Sequence, residues 1–227
     1  MAEVVARARS ARGEIVLRRR DPPRDGASAP LELRVNGVFV MDTVHTDTEE
    51  RLAREALAAV ARPHRVLVGG LGLGFTLRAL LGDNRVEHVT VAEMEPAVVQ
   101  WVAEGLVPAT AGVLDDRRVD VRVTDVRECL AHAEPATLDA ILLDVDNGPD
   151  HLVFDDNAAL YGKDSLARCL ACCTDDGAVV VWSASYSADL LERLSALGSS
   201  ARHLPIAVSL QGRETHHHLY VAAPRRH

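Results

Sequence analysis

Four glycines, Gly69, Gly70, Gly72 and Gly74, sit between two apolar runs and restrict what this chain can become. Val66-Leu67-Val68 ahead of them is too short for a helix and β-branched enough for a buried strand. Behind them Phe75, Leu77, Leu80 and Leu81 recur as an amphipathic segment with Arg78 outward. A second apolar run, Val89 to Val91, ends on Glu93-Met94-Glu95. Strand, glycine turn, helix, strand and acid is the plan of a nucleoside-binding βαβ unit. Glycine admits positive φ and lets a ligand approach the backbone, and an acid about 20 residues further on can accept hydrogen bonds from ribose hydroxyls. The four glycines, Glu93 and Met94 are therefore cofactor-binding candidates. A dinucleotide fingerprint reads G-x-G-x-x-G, with pyrophosphate on the helix N-terminus. Here bulky Phe75 follows Gly74 with no final small residue, which suits an S-adenosyl ligand, without phosphate, better than a nicotinamide dinucleotide.

From Arg65 onward strand and helix patterns alternate, which means an α/β fold whose parallel sheet is covered on both faces. Strands are expected at 65–69, 87–92, 118–124, 138–144 and 177–183, with helices between them, then strands at 202–209 and 215–223. The last two follow each other across Gln211-Gly212, an antiparallel hairpin ending a seven-stranded, mostly parallel Rossmann-like sheet. Ahead of this, residues 1–20 are Ala/Arg-rich and weakly patterned, with a short strand at Glu14 to Leu17. Leu31 to Val35 and Val38 to Met41 flank Asn36-Gly37, the strongest short hairpin signal. We divide the chain into a small N-terminal β module, 1–47, and a nucleoside-binding domain, 48–227. Thr46-Asp47-Thr48 is read as the cap of the helix between them, with Glu49 and Glu50 in its first turn.

Composition limits the partners. The 227 residues, 48% hydrophobic, can bury a substantial core. A net charge of −8 argues against nucleic acid, although the N-terminal arm is locally basic. No apolar run reaches the length of a membrane span and no signal-peptide core opens the chain, so a cytoplasmic protein is expected. Cys169, Cys172 and Cys173 read as buried thiols on an apolar helix rather than a metal or redox site. His216 to His218 alternate faces on a strand without a companion acid and are read as a surface row, so no metal site is expected.

Ligands of an open parallel sheet bind outside the carboxyl ends of its strands. That rule selects Asp125 and Val126 after the third strand, with Asp125 an adenine-amino acceptor that also caps a helix. Asp144-Val-Asp-Asn-Gly-Pro149 follows the apolar strand Ala140 to Leu143, so Asp144 emerges from a dry core into the site. Desolvation raises such an acid's pKa into a useful range for a general base, and it can equally anchor a substrate amine. Asp146 and His45 are alternates for the catalytic role, and Asn147, Trp182 and Glu49 are substrate-binding candidates. Trp182 offers a stacking or cation–π wall.

Residues 31 to 183 resemble the spermidine synthase-like branch of the S-adenosylmethionine-dependent methyltransferase superfamily. The match rests on VLVGGLGLG, VTVAEMEPAVV, the strand end at Asp125 and DAILLDVDNGP, with the Asn36-Gly37 hairpin ahead of them. The resemblance implies that Glu93 binds ribose, Asp125 the adenine amino group, and that Asp144 is the catalytic acid. Aminopropyltransferases of this branch carry Gly-Gly-Gly-Asp-Gly-Gly, whose aspartate holds the aminopropyl amine of decarboxylated S-adenosylmethionine. This chain has Leu71 and Leu73 there, and His45-Thr46 and Glu49-Glu50 replace the acids and Tyr-His of the polyamine site. On these departures the expectation is a methyltransferase that uses intact S-adenosylmethionine as cofactor and a small-molecule acceptor as partner. An aminopropyltransferase holding a polyamine with Asp144, Asp146, Glu49 and Glu50 is the alternative, and a non-catalytic nucleoside-binding protein the third reading. Family members are commonly dimers, so a homodimer is expected.

Overall fold

In the computed structural model we describe residues 3–22, 29–146, 148–150, 152, 154–197, 200–210 and 213–224. The chain begins with four strands, β1 (Glu3–Ser10), β2 (Gly13–Arg19), β3 (Leu31–Val35) and β4 (Val38–Asp42). They form an antiparallel sheet in that order. β1 was not legible from sequence, because it is an edge strand with no fully buried residue, so its apolar period is weak. Its partner β2 supplies the inward side chains, Ile15 and Leu17, both fully buried.

After α1 (Asp47–Ala59) come β5 (Arg65–Gly69), α2 (Phe75–Leu81), β6 (His88–Glu93), α3 (Pro96–Ala103), β7 (Val119–Val123) and α4 (Val126–His132). The remainder is β8 (Leu138–Leu143), α5 (Lys163–Cys172), β9 (Cys173–Ser183), α6 (Ala188–Ala196), β10 (Ser200–Leu210) and β11 (Arg213–Ala223). Short 3-10 helices cover Pro108–Thr110, Val113–Asp115 and Asp155–Tyr161, none of them expected from the periodicity. The seven strands from β5 on form one sheet, ordered β10-β11-β9-β8-β5-β6-β7. Its β5–β9 strands pair in parallel, and β11 joins β9 and β10 antiparallel, giving the Rossmann-like architecture expected. The Gln211-Gly212 turn lies outside the described residues. The helix cap at Thr46 differs from expectation: its side chain makes no capping hydrogen bond, and the acids Asp47, Glu49 and Glu50 of the first turn supply the favourable charge instead.

Each central strand buries both faces, as a parallel sheet under helices requires. Val66, Val68, Leu142 and Val180 face Leu52, Ala53 and Ala56 of α1 and Phe75, Leu77 and Leu80 of α2. Ile15, Leu17, Leu31 and Leu33 of the first sheet belong to the same cluster. Leu67, Ile141, Leu143 and Val181 face the other way, onto Val126, Leu130, Leu166 and Leu190 of α4 to α6. All four cysteines are buried free thiols, with Cys169 pushed up to about 12 by burial and then by neighbouring Cys172. No single helix among the described residues is long and apolar enough to cross a membrane.

Candidate active site

The carboxyl ends of β5, β6, β8 and β9 meet at the glycine loop. Gly70, at φ 95°, passes so close to β8 that a Cβ there would stand 2.2 Å from the carbonyl oxygen of Asp144. Gly72, at φ 52°, runs under β4, where a Cβ would reach Met41 Sδ at 2.6 Å. Gly70 admits no other residue without moving the loop, whereas at Gly72 the Met41 side chain would have to give way and the positive φ would be strained. Glu93 fastens the loop from β6 by accepting the backbone N–H of Leu71 and of Glu95, both at 2.9 Å. Burial raises the pKa of this carboxyl, and those two backbone donors oppose the shift. A carboxylate offers about four acceptor sites, so with the Gly72 N–H also drawn to it Glu93 still has capacity for a ligand hydroxyl.

A cavity opens beside the loop, lined by Gly70, Gly72, Glu93, Met94, Asp125, Val126 and Asp144. Gly69 and Gly74 support it from behind: Gly69 packs on Val126, and Gly74 starts α2 in the left-handed conformation. Asp125 is the N-cap of α4, accepting the Arg127 N–H at 2.8 Å and pairing with the Arg127 guanidinium at 2.6 Å. Burial pushes the Asp125 carboxyl up, but the Arg127 hydrogen bonds outweigh it and the net shift is downward. Sequence reasoning missed the roof. Arg12, in the turn between β1 and β2, lies 3.9 Å above the Phe154 ring and directs Nη1 to Met94 Sδ at 2.9 Å. Its Nε is 3.4 Å from Glu95, which also accepts the Ser10 hydroxyl at 3.2 Å. The only available signal was the basic arm, which by itself says nothing about where it folds.

A second cavity shares Gly72, Asp144 and Asp146 with the first and continues under α1 and β4. It collects Asp42, His45, Glu49, Trp182 and His217. Asp144 accepts the Thr76 hydroxyl at 3.0 Å; burial raises its pKa to about 6, with Thr76 opposing and Glu93 adding to the rise. Glu49 is raised further, to about 8, first by burial and then by the charge of Asp144. Two buried carboxyls held toward the neutral form, Glu49 partly by the charge of Asp144, are well placed to receive an amine cation and its proton. Asp42 is buried and accepts the Val44 and His45 backbone N–H groups, and it holds the His45 ring at 3.1 Å through Nδ1. His45 thus borders the cleft as a partner of Asp42. Asp146, at φ 62°, accepts from the Phe154 N–H and the Asn157 side-chain amide, so it shapes the loop as well as lining both cavities. Asn147 lies outside the described residues. His217 differs from its expected place in a surface row: the antiparallel addition of β11 beside β9 carries it into the cleft against Trp182. Among the described residues no group of three or more His, Cys, Asp or Glu is arranged to hold a metal.

A glycine loop, a strand-end acid and an acidic cleft that shares Asp144 and Asp146 with the first cavity are set at the carboxyl ends of an α/β sheet. The chain belongs to the family described as the spermine/spermidine synthase domain, whose model matches residues 46–199. A polyamine aminopropyltransferase of Ruegeria sp. is 31% identical over 163 residues, covering 66% of this chain and 55% of its own length. Polyamine aminopropyltransferase 2 of Bacillus cereus is 29% identical over 161 residues, covering 70% of this chain and 42% of its own. The chain spans about half the length of these curated relatives. A spermidine synthase in complex with the transition-state analogue AdoDATO superimposes with a TM-score of 0.81 at 18% identity, over 97% of this chain and 73% of that one. The spermidine synthase of Thermotoga maritima gives 0.79 at 18% identity, over 97% and 72%. These findings overturn the methyltransferase expectation: the family and its named relatives are aminopropyltransferases. That expectation rested on Leu71 and Leu73 replacing a loop acid, and it ranked the aminopropyltransferase with Glu49 and Glu50 in its amine site second.

Proposed function

We propose that this chain transfers an aminopropyl group from decarboxylated S-adenosylmethionine to an amine. The observation that carries the reading is the pair Asp144, which lines both cavities, and Glu49 in the acidic cleft, raised to about 6 and about 8. Leu71 and Leu73 are buried apolar side chains, so the loop offers no carboxylate to the aminopropyl ammonium. Glu49, reaching in from α1, supplies one. Glu93 takes the ribose hydroxyls, and the Asp125 strand end borders the adenine.

The acceptor amine attacks the propyl carbon bonded to the sulfonium. A C–N bond forms, the C–S bond breaks with its electron pair on sulfur, and a neutral thioether leaves. Asp144 receives the proton that the amine gives up, which its raised pKa suits near neutrality. Because the sulfonium is already activated, most of the rate comes from holding the two reactants in line. Titration of the protein with decarboxylated and with intact S-adenosylmethionine tests the reading. Tighter binding of the decarboxylated form, with turnover on a diamine, is expected; the opposite order of affinity overturns it.

The same reading places the protein in the cytoplasm and makes it a homodimer, with residues 1–47 as a module covering the site of 48–227. β1 and β4 are free sheet edges, and Val4, Val38 and Phe39 are exposed on them, which a second copy would cover. Sedimentation equilibrium at micromolar concentration tests this, and a monomer there counts against it.

A further inference from the structure

Asp144 is pinned from two sides. Its backbone N–H donates to the Gly69 carbonyl at 2.9 Å, which ties it to β5, and its side chain is held from α2. The holder is Thr76, which is 3% exposed and stands between Phe75 and Leu77 on the buried stretch of that helix. A hydroxyl buried there needs a partner. Thr76 Oγ1 lies 3.0 Å from Asp144 Oδ2 and 3.4 Å from the Glu49 carbonyl oxygen, and it has one hydrogen to give. The carboxylate is the nearer acceptor and the charged one, so it takes the hydrogen.

The other oxygen is left for a ligand. Among the described residues Asp144 Oδ1 has no donor, and it is not one of the buried polar atoms sealed off without a partner. Asp144 lines both cavities, so Oδ1 is the oxygen that opens on them. The titratable groups facing Asp144 are Glu93 from β6, Glu49 from α1, Asp146 on its own loop, and Tyr161, whose hydroxyl goes to the Val145 carbonyl. Across the first cavity the guanidinium groups of Arg12 and Arg127 are engaged by Glu95 and Asp125. His45 and His217 stand on other walls of the second. Among the described residues Thr76 thus supplies the one hydrogen bond to this carboxyl, and a donor to the charged form favours that form.

We propose that Thr76 is a positioning residue of this site: by taking up Oδ2 it turns Oδ1 of Asp144 toward the reacting amine and keeps the carboxyl able to accept a proton. The proton passes from the ammonium to Oδ1, the lone pair it leaves on nitrogen forms the C–N bond, and Oδ2 keeps its hydrogen bond to Thr76. This proton transfer rests on the aminopropyl reading, whereas the hold on the carboxyl does not.

Thr76→Val keeps the shape of the side chain and removes the hydroxyl, and Thr76→Ser returns it. One readout is the ionisation midpoint of Asp144 in the ligand-free full chain, by carbon-13 NMR of aspartate-labelled protein, with Asp144→Asn identifying the signal. The other is kcat against pH with decarboxylated S-adenosylmethionine and 1,4-diaminobutane. Loss of a hydrogen bond to a charged group should raise the midpoint by about one pH unit or more. The acid limb of kcat should move up with it. Starting from a midpoint of about 6, the Val variant is then about fivefold or more slower than the parent at pH 6 and within about twofold of it at pH 9. Thr76→Ser is expected to restore both readouts. A midpoint that stays put overturns the proposal, as does a limb that stays while the midpoint moves. A loss of kcat equal at every pH and not restored by Ser marks a packing effect and overturns it too. Thr76→Ala gives the same comparison if the Val variant fails to fold. Absence of turnover by the unsubstituted protein on any amine removes the aminopropyl reading, and the midpoint still decides whether Thr76 holds Asp144.

Discussion

Glu49→Gln should make the ligand-free protein more stable at pH 8 and leave it nearly unchanged at pH 5. The Glu49 carboxyl is raised from 4.5 to about 8 by burial and by Asp144. Above pH 4.5 the unfolded chain releases this proton, while the folded chain retains it until about pH 8. The folded state therefore binds more protons across that window, and stability falls as pH rises through it, levelling off above. At about 1.4 kcal/mol per pKa unit the interval sets an upper bound of roughly 5 kcal/mol. Glu49 is partly solvated and shares its shift with Asp144, so about 2 kcal/mol is the working figure. For a domain of this size that is a Tm difference of roughly 4–8 °C. Scanning calorimetry at pH 5 and pH 8 without ligand reads it directly. Gln keeps a side-chain oxygen where the Glu49 carboxylate accepts the Thr48 hydroxyl at 2.9 Å, so the change is confined to charge. A variant less stable at pH 8, or a Tm gap independent of pH, refutes the electrostatic account. Adding a short amine at pH 8 should raise the Tm of the parent and not of the variant, because only the parent has the second negative charge to offer.

Other perturbations probe the parts separately. Asp144→Asn should lower turnover roughly a hundredfold to ten-thousandfold, the range for a lost general base, while nucleoside affinity measured by titration stays within a few fold. Turnover unchanged removes Asp144 from the proton transfer. Gly70→Ala places a Cβ 2.2 Å from the Asp144 carbonyl at a φ of 95°, so the loop must shift and strain by about 2–4 kcal/mol. A Tm loss of roughly 5–15 °C is expected in thermal unfolding, and a change of a degree or less contradicts the close approach. Arg12→Ala removes the cation above Phe154 and should weaken nucleoside binding about threefold or more, with kcat at saturating donor less affected.

The sheet was legible because its signals are local. The runs 66–68 and 140–143 are continuous apolar strand cores, the glycines mark the turn, and Glu93 stands at the strand end. The same locality explains what was missed. β1 is an edge strand whose residues pair through the backbone with β2, and Val-Val-Ala-Arg-Ala-Arg carries no clear period. His217 reaches the cleft only because β11 inserts between β9 and β10, a pairing set by the whole sheet and not by the His-His-His run. Leu71 and Leu73 led the chemistry astray for a related reason. Glu49, 22 residues before Leu71, lines the same cleft from α1, and nothing in the spacing of Gly70 to Gly74 announces a carboxyl from that helix.

The roof over the nucleoside cavity is fixed differently from its floor. Arg12 hangs from the turn after β1, and the next strand, β2, is anchored by Ile15 and Leu17 in the same hydrophobic cluster as the central sheet. A hinged flap opens and closes at little expense to the fold, whereas this one is an outgrowth of the core. Truncating Leu17 should loosen the roof and destabilise the protein together, since large-to-small changes at such sites cost about 2–5 kcal/mol. Along a series of hairpin-core variants, affinity for the nucleoside and melting temperature would rise and fall on one line. The roof lies outside residues 46–199, the stretch that defines the family. Rebuilding the hairpin can therefore reshape this wall of the cavity and leave the central sheet alone.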